Sequence, residues 1–222
     1  MNRAAWDKLI VALDSDNKRK IKGIVRSLRP KVKKFKLGLI PYSLEGSRLV
    51  KWVKQAGGEV FLDLKLYDIP NTMVETARII TDLGVWATTV HIKAGEEALR
   101  RVKAAMVVRA KEKKLPVPLL IGVSELTSDK ASFAQVMRLV KIGVKSGIDG
   151  IVCGVGEAKR IKDFYGRLLV ITPGIRNVAA GDDQKRIATV KEALKNKVDY
   201  FVVGRPITQA SDYLKAARDL LR

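Results

Sequence analysis

The sequence predicts an α/β protein: a single (β/α)8 TIM barrel spanning residues 1–222 as one domain. One pattern, a short apolar strand followed by an amphipathic helix, recurs eight times along the chain. The predicted strands are apolar almost throughout, which is typical of parallel strands covered on both faces. Eight such units in 222 residues favour a closed barrel. No G-x-G-x-x-G motif follows the first strand, which argues against an open dinucleotide-binding sheet.

The strands are predicted where apolar and β-branched residues run together, bounded by turn residues or by amphipathic stretches. In chain order they are Leu9–Leu13, Lys33–Gly38, Glu59–Leu64, Ala87–His91, Val117–Val123, Gly150–Cys153, Leu168–Thr172 and Tyr200–Val203.

The helices between these strands are predicted from apolar residues spaced three and four apart. Asn71–Ile80 and Glu97–Arg109 are the clearest examples. Glycine or aspartate often stands just before the next strand, as Gly84 and Asp149 do, which is typical of turns and helix C-caps. The strand–helix alternation therefore continues without a linker or a second domain.

The net charge is +20, from 43 Lys and Arg against 23 Asp and Glu. Such a charge is compatible with nucleic-acid binding, and equally with an anionic small substrate and a lysine-rich surface. The basic residues lie mostly in helix-like segments such as 18–34 and 111–115, and they form no basic tail. We therefore favour the surface interpretation, and nucleic acid is not the expected partner.

Cysteine and histidine are scarce, with one of each in the chain. A lone Cys153 excludes an internal disulfide and suits a reducing compartment. There is no signal-like segment, and no apolar run approaches the roughly 20 residues of a membrane span. The expectations are a cytoplasmic protein that binds no membrane, no metal site and no cofactor.

Polar residues are concentrated at the predicted ends of the strands. Asp14 follows the first strand, Lys36 lies near the end of the second, Ser124 follows the fifth, and Gly204 with Arg205 follows the eighth. Active sites of such barrels lie at the C-terminal ends of the strands. These residues are therefore predicted to meet around one mouth.

The third strand carries the strongest signal. Because side chains alternate along a strand, Asp63 and Lys65 should point into the barrel while the intervening leucines pack under the helices. Asp68 follows where the strand ends. Buried charges are costly unless paired, so these residues and Lys36 could form a mutually compensated charge array. A purely structural ion-pair network is the alternative.

Such an array could expel carbon dioxide from a substrate. A substrate carboxylate about 4 Å from Asp63 would be repelled by about 4 kcal/mol at an effective dielectric near 20. Loss of the carboxyl group would relieve that repulsion and leave a carbanion. Lys65 could stabilise this charge and then donate a proton.

An anion site is predicted where Gly204 and Arg205 open the last helix. Backbone N–H groups at a helix start, together with a guanidinium, bind phosphate well. The glycine-containing stretch Gly174–Asp183 is predicted to be a mobile loop that closes over it. A surface ion pair is the alternative role for Arg205.

Several motifs resemble those of the orotidine 5′-monophosphate decarboxylases. The block Phe61–Thr72 resembles the family signature D-x-K-x-x-D-I-P-x-T, and Lys36-Leu37-Gly38 is similar to its second-strand K-x-G. Pro173–Arg176, Asp183–Arg186 and Val203–Thr208 resemble its later motifs, in the same order. The resemblance spans nearly the whole chain.

The resemblance implies decarboxylation of orotidine 5′-monophosphate to uridine 5′-monophosphate and CO2, the last step of de novo UMP synthesis, without metal or cofactor. Lys65 would protonate C6 of the pyrimidine after CO2 leaves. Asp63 would press on the substrate carboxylate, and Lys36 with Asp68 would complete the charge array.

The resemblance also implies the binding residues. Asp14 and Lys36 would hold ribose hydroxyls, and Ser124 would contact the pyrimidine. The phosphate side would consist of Pro173, Arg176, Gln184, Gly204 and Arg205. The enzyme would be a homodimer in which Asp68, Ile69 and Thr72 reach into the partner's site.

Two alternatives remain. Sister barrels, the 3-keto-L-gulonate-6-phosphate decarboxylases and hexulose-6-phosphate synthases, share D-x-K-x-x-D but need Mg²⁺. Ile69–Thr72, the Lys36-x-Gly38 motif and Gln184 argue against them. A nucleic-acid-binding barrel is suggested by the net charge alone.

Overall fold

The computed structural model describes residues 3–125, 132–176 and 188–222. Eight parallel strands close into a barrel in chain order, with the first strand paired to the eighth. The predicted (β/α)8 TIM barrel is thereby confirmed. The strands are β1 Leu9–Ala12, β2 Lys34–Leu37, β3 Glu59–Leu66, β4 Ala87–His91, β5 Leu119–Val123, β6 Gly150–Val152, β7 Leu169–Thr172 and β8 Tyr200–Val203.

Helices connect consecutive strands and cover the outside of the barrel. They are α1 Arg3–Lys8, α2 Lys18–Leu28, α3 Leu39–Glu45, α4 Ser47–Gln55, α5 Pro70–Asp82, α6 Glu96–Lys113, α7 Phe133–Lys145, α8 Val155–Phe164, α9 Val190–Lys195, α10 Arg205–Thr208 and α11 Tyr213–Leu220, with a 3-10 turn at Ile92–Ala94.

The predicted boundaries need two corrections. Gly204 and Arg205 open the short helix α10, and the last helix, α11, begins further on at Tyr213. β3 continues to Leu66, two residues beyond its predicted end, whereas most other strands are slightly shorter than predicted. None of the helices in the described ranges is long and apolar enough to cross a membrane.

The core has two layers separated by the strands, as the alternation of side chains requires. Inside the barrel lies a small apolar cluster that includes Phe61, Ile121 and Ile171. Outside it, a larger cluster between strands and helices includes Phe35 and Leu62. The inner apolar cluster supports the cavity at the C-terminal end.

Aromatic rings fill the N-terminal end of the barrel. The Trp86 ring packs edge-on against Phe61 and Tyr200, with centroids 6.1 and 5.0 Å away. Lys34 Nζ lies 5.1 Å from the Trp86 centroid and 5.2 Å from that of Tyr200, and it pairs with Glu59 at 3.2 Å. Its charge is therefore compensated by ring faces and a carboxylate.

The pairing of β3 with β4 is irregular close to the candidate site. Leu62 pairs with Thr88 but Leu66 pairs with Val90, so four residue steps on β3 face two on β4. Lys65, within this bulge, has a positive φ of 51°. The pairing with β4 is therefore irregular here, but the predicted alternation of side chains is confirmed, because Asp63 and Lys65 line one cavity while Leu64 and Leu66 pack against the outer cluster.

Candidate active site

A cavity of about 560 Å³ opens at the C-terminal ends of the strands. Phe61, Ile171 and Val202 give it an apolar base. Charged side chains surround this base, namely Asp14, Lys36, Asp63, Lys65, Glu125, Arg176 and Arg205. A cavity with an apolar base and convergent charged groups is the usual form of a small-molecule site.

A second concavity, of about 590 Å³, lies at the N-terminal side of β6 and β7. Its charged lining residues are Asp149 and Arg167, and Asp149 is engaged with Lys103 at 2.6 Å. Because the active sites of this fold lie at the C-terminal ends of the strands, we take the 560 Å³ cavity as the candidate site.

Two acids and two bases alternate across β1, β2 and β3. Lys36 Nζ lies 3.1 Å from both carboxylate oxygens of Asp14 and 3.5 Å from Asp63 Oδ2. Lys65 Nζ donates to both Asp63 oxygens at 3.0 Å. The observed charge array is therefore Asp14–Lys36–Asp63–Lys65, formed within one chain and containing Asp14 in place of the predicted Asp68.

Asp63 is the one buried member of the charge array, with 8% of the residue exposed. Burial alone would raise its pKa, but the ammonium groups of Lys36 and Lys65, with hydrogen bonds from Lys65 and Thr89, outweigh burial. The net effect lowers the pKa of Asp63 below its ordinary value. The site therefore holds a carboxylate that is ionised at neutral pH.

Asp68, Ile69 and Thr72 lie outside this cavity. The Asp68 carboxylate accepts a hydrogen bond from the N–H of Ile69 at 2.7 Å. The Ile69 side chain is 67% exposed, and Thr72 is exposed in the first turn of α5. The single chain does not bring Asp68 to the charge array, in which Asp14 is the second acid.

Ser124 is also away from the cavity wall. It is buried, at 2% exposure, whereas its neighbours Val123 and Glu125 line the cavity. Glu125, which the sequence analysis missed, pairs with Lys93 at 2.6 Å. Its position two residues after the end of the fifth predicted strand was the available signal.

Pro173, Arg176, Gly204 and Arg205 come together on the opposite wall, at the ends of β7 and β8. Arg176 is buried, and its backbone N–H donates to the backbone oxygen of Ala188 at 2.9 Å. Gln184 and the Asp183–Arg186 motif lie outside the described residues, as does the predicted loop beyond Arg176.

A sequence model described as the orotidine 5′-phosphate decarboxylase / HUMPS family matches residues 7–220. The chain belongs to this family. A relative named orotidine 5′-phosphate decarboxylase, from Dictyoglomus thermophilum, is 38% identical over 97% of this chain and 94% of that protein. Another with the same name, from Vibrio atlanticus, is 39% identical over 92% of this chain and 93% of its own length.

Solved structures of the decarboxylase family resemble the barrel closely. Orotidine 5′-phosphate decarboxylase from Lactobacillus acidophilus superposes with a TM-score of 0.83 at 33% identity, covering 96% of this chain and 97% of that one. The enzyme from Methanocaldococcus jannaschii, solved with the inhibitor BMP, gives 0.78 at 26% identity, covering 97% of both chains.

One further residue of this family member was missed from sequence. The Thr89 hydroxyl donates to Asp63 Oδ1 at 3.0 Å and accepts the N–H of Lys65 at 2.8 Å. Its place in β4, two residues before His91, was the signal, because alternation turns both toward the same face. Across residues 3–125, 132–176 and 188–222, no three His, Cys, Asp or Glu side chains form a group suited to a metal ion.

Proposed function

We propose that the protein decarboxylates orotidine 5′-monophosphate to uridine 5′-monophosphate and CO2, the last step of de novo UMP synthesis, without a metal or cofactor. The observation that carries the proposal is the charge array beside an apolar cavity base, with Arg176 and Arg205 across the cavity. Family membership and relatives named for this activity support it.

Asp63 supplies the driving interaction. Bound substrate would place its carboxylate beside that of Asp63, which is held ionised by Lys36 and Lys65. At about 4 Å and an effective dielectric near 20, this repulsion is worth about 4 kcal/mol. It disappears as CO2 leaves, so it weakens ground-state binding more than transition-state binding.

Lys65 acts as the proton donor in this proposal. When the bond from C6 to the carboxyl carbon breaks, its electron pair stays on C6 and CO2 departs. The Lys65 ammonium stabilises this carbanion and transfers a proton to C6, leaving a neutral amine that solvent reprotonates. Its pairing with Asp63 at 3.0 Å keeps the ammonium beside the reacting carbon.

The remaining cavity residues would bind the rest of the nucleotide. Asp14 and Lys36, paired at 3.1 Å, would take ribose hydroxyls. Arg176, Arg205 and the backbone at Pro173 and Gly204 would hold the phosphate, helped by Gln184. Ser124, buried away from the cavity wall, is left without a substrate contact in this scheme.

The sites would be completed in a homodimer. Asp68, Ile69 and Thr72 are exposed and do not line the cavity of their own chain, so they are available to enter a partner's site. Large apolar residues are also exposed just after the ends of β2 and β3. They are Leu39, Ile40, Tyr67 and Ile69, each at least 55% exposed. Exposed apolar clusters of this kind are typical of protein–protein interfaces.

The test is an absorbance assay with orotidine 5′-monophosphate, with and without EDTA. We expect EDTA-resistant turnover by the wild type and a loss of about a hundredfold to ten-thousandfold or more in Lys65→Ala, because its general acid is gone. Lys51→Ala, at an exposed position on α4, is the matched control and should retain wild-type activity.

Wild-type turnover in a folded Lys65→Ala would refute the proposed mechanism. An EDTA-sensitive reaction on a sugar phosphate, without turnover of the nucleotide, would assign the chain to the sister activity.

A further inference from the structure

The bulge in β3 is held by two hydroxyl groups from β4. Where the β3–β4 register shifts, the Thr88 hydroxyl donates to Leu62 O at 3.0 Å. The Thr89 hydroxyl accepts the N–H of Lys65 at 2.8 Å. Both threonines are fully buried, so these side chains replace backbone partners that an irregular ladder does not supply.

Lys65 depends on such support because its backbone is in an unfavourable conformation. Its φ of 51° lies in the left-handed region, which is strained for a residue with a Cβ atom. Strained residues of this kind persist where the surrounding structure holds them. The contact to Thr89 Oγ1 is on the backbone N–H of this same residue.

The same hydroxyl also orients the neighbouring acid. Thr89 Oγ1 donates its hydrogen to Asp63 Oδ1 at 3.0 Å. A threonine hydroxyl has one hydrogen to donate, and here it is committed to Asp63 while the oxygen accepts from Lys65. One atom therefore touches both the carboxylate of Asp63 and the backbone of Lys65.

We infer that Thr89 is a positioning residue that fixes Asp63 and Lys65 relative to each other for the decarboxylation step. This inference rests on the proposed function, because Thr89 acts through these two residues and does not line the substrate cavity. Ribose and phosphate would be bound by other residues, so Thr89 affects the chemical step more than substrate binding.

Three variants test the inference. Thr89→Val keeps the shape and removes the hydroxyl, and Thr89→Ser keeps the hydroxyl. Thr88→Val is the matched control, because it removes an equally buried hydroxyl from the same bulge without touching the charge array. Thr89→Ala replaces Thr89→Val if the latter is not recovered folded.

We expect Thr89→Val to lower kcat about tenfold or more, as losing a hydrogen bond to a charged group does when it acts in the transition state. KM should change little. Thr89→Ser should recover most of kcat, and Thr88→Val should retain wild-type kcat even if it is less stable. If Thr89→Val and Thr88→Val have equal kcat, the inference is overturned.

Amide hydrogen exchange provides a readout independent of activity. The Lys65 amide should exchange faster in Thr89→Val than in the wild type, and remain protected in Thr89→Ser and Thr88→Val. Unchanged Lys65 protection in Thr89→Val would overturn the inference even if activity fell. A wild type that does not decarboxylate the nucleotide would refute the proposed function, while the exchange measurement would still decide whether Thr89 holds Lys65.

Discussion

At the residue scale, Asp63 is held by groups from three strands. Lys36 comes from β2, Lys65 from β3 itself and Thr89 from β4. Because the opposing effect of burial is smaller than their sum, the pKa of Asp63 is lower in the folded state than its ordinary value. Folding and ionisation of Asp63 are therefore linked.

The sign of this linkage gives a pH prediction. The folded-state pKa of Asp63 is depressed, so its contribution to the free energy of unfolding is present above the unfolded-state pKa of about 3.9 and is lost as pH falls through the folded value. Asp63→Asn should lower the free energy of unfolding at pH 7 by about 1–3 kcal/mol, because two lysines lose their shared acid.

Urea unfolding at pH 7 and at several values below pH 4 would measure the effect of Asp63→Asn. The difference from the wild type should shrink as pH falls. Asp16→Asn, at an exposed site after β1, is the control and should leave stability unchanged. A variant as stable as the wild type at pH 7 would contradict the linkage.

Sequence patterns identified most members of the charge array but not their full arrangement. Alternation predicted that Asp63 and Lys65 share a face, and the strand ends predicted Asp14 and Lys36 nearby. The bulge at Lys65 could not be predicted, because no glycine marks its positive φ. Thr89 was missed because threonine is ordinary in a strand. Alternation with His91 indicated only which face Thr89 lies on, and its two hydrogen bonds depend on a register shift that only the structure reveals.

At the element scale, two similar clamps tie helices to strands at the N-terminal side of the barrel. Asp149 Oδ2 accepts the N–H of Leu120 at 2.7 Å and pairs with Lys103 at 2.6 Å. Asp199 Oδ2 repeats this arrangement with Val170 N–H and Lys162 Nζ, each at 2.8 Å. Each aspartate thus joins a helix, the strand that follows it and the next strand.

The clamps could be only partly predicted from sequence. Asp149 was expected in a turn because it directly precedes a strand. Its partner Lys103 is 46 residues away in the chain, and no local pattern links them. The residue two before each aspartate, Gly147 or Lys197, has a positive φ, which identifies the clamps as the same turn used twice.

Removing either clamp should destabilise the barrel without affecting catalysis. Asp149→Ala and Asp199→Ala each leave a strand N–H and a lysine without their acceptor, so we expect a loss of about 2 kcal/mol in the free energy of unfolding. The kcat should be unchanged, because the clamps lie at the end opposite the cavity.

Urea denaturation and the nucleotide assay, run on the same preparations, check both parts of this prediction. Asp163→Ala is the matched control: Asp163 also pairs with two lysines, Lys159 and Lys197, but on the surface, where ion pairs contribute little. If Asp163→Ala costs as much stability as Asp149→Ala, the clamps have no special role.

At the scale of the whole molecule, repetition determined what could be predicted. Eight strand–helix units predicted the closed barrel, and the mouth was predicted from polar residues at several strand ends. The order of the charge array was not predictable, since Asp68 is nearer to Lys65 in sequence than Asp14 is. In the structure Asp14 pairs with Lys36, while Asp68 binds its own neighbour's N–H.

The exposed position of Asp68 leads to a prediction about the assembled enzyme. If Asp68 acts in the partner's cavity, each site combines Lys65 of one chain with Asp68 of the other. Lys65→Ala and Asp68→Ala then remove residues that different chains contribute to a site. Each homodimer should be nearly inactive. In a mixed dimer, one site receives Lys65 and Asp68 intact, so an equal random mixture should regain about a quarter of wild-type activity.

The control is a mixture of Lys65→Ala with Lys36→Ala. Both lysines line the cavity of their own chain, so every site in that mixed dimer lacks one of them and activity should stay low. Mixed dimers can be isolated with two different affinity tags, so that exchange of subunits is verified before the assay. A shared site requires that activity returns in the mixed Lys65→Ala/Asp68→Ala dimer and does not return in the mixed Lys65→Ala/Lys36→Ala dimer. A purified Lys65→Ala/Asp68→Ala dimer that remains inactive would show that Asp68 does not act across the interface.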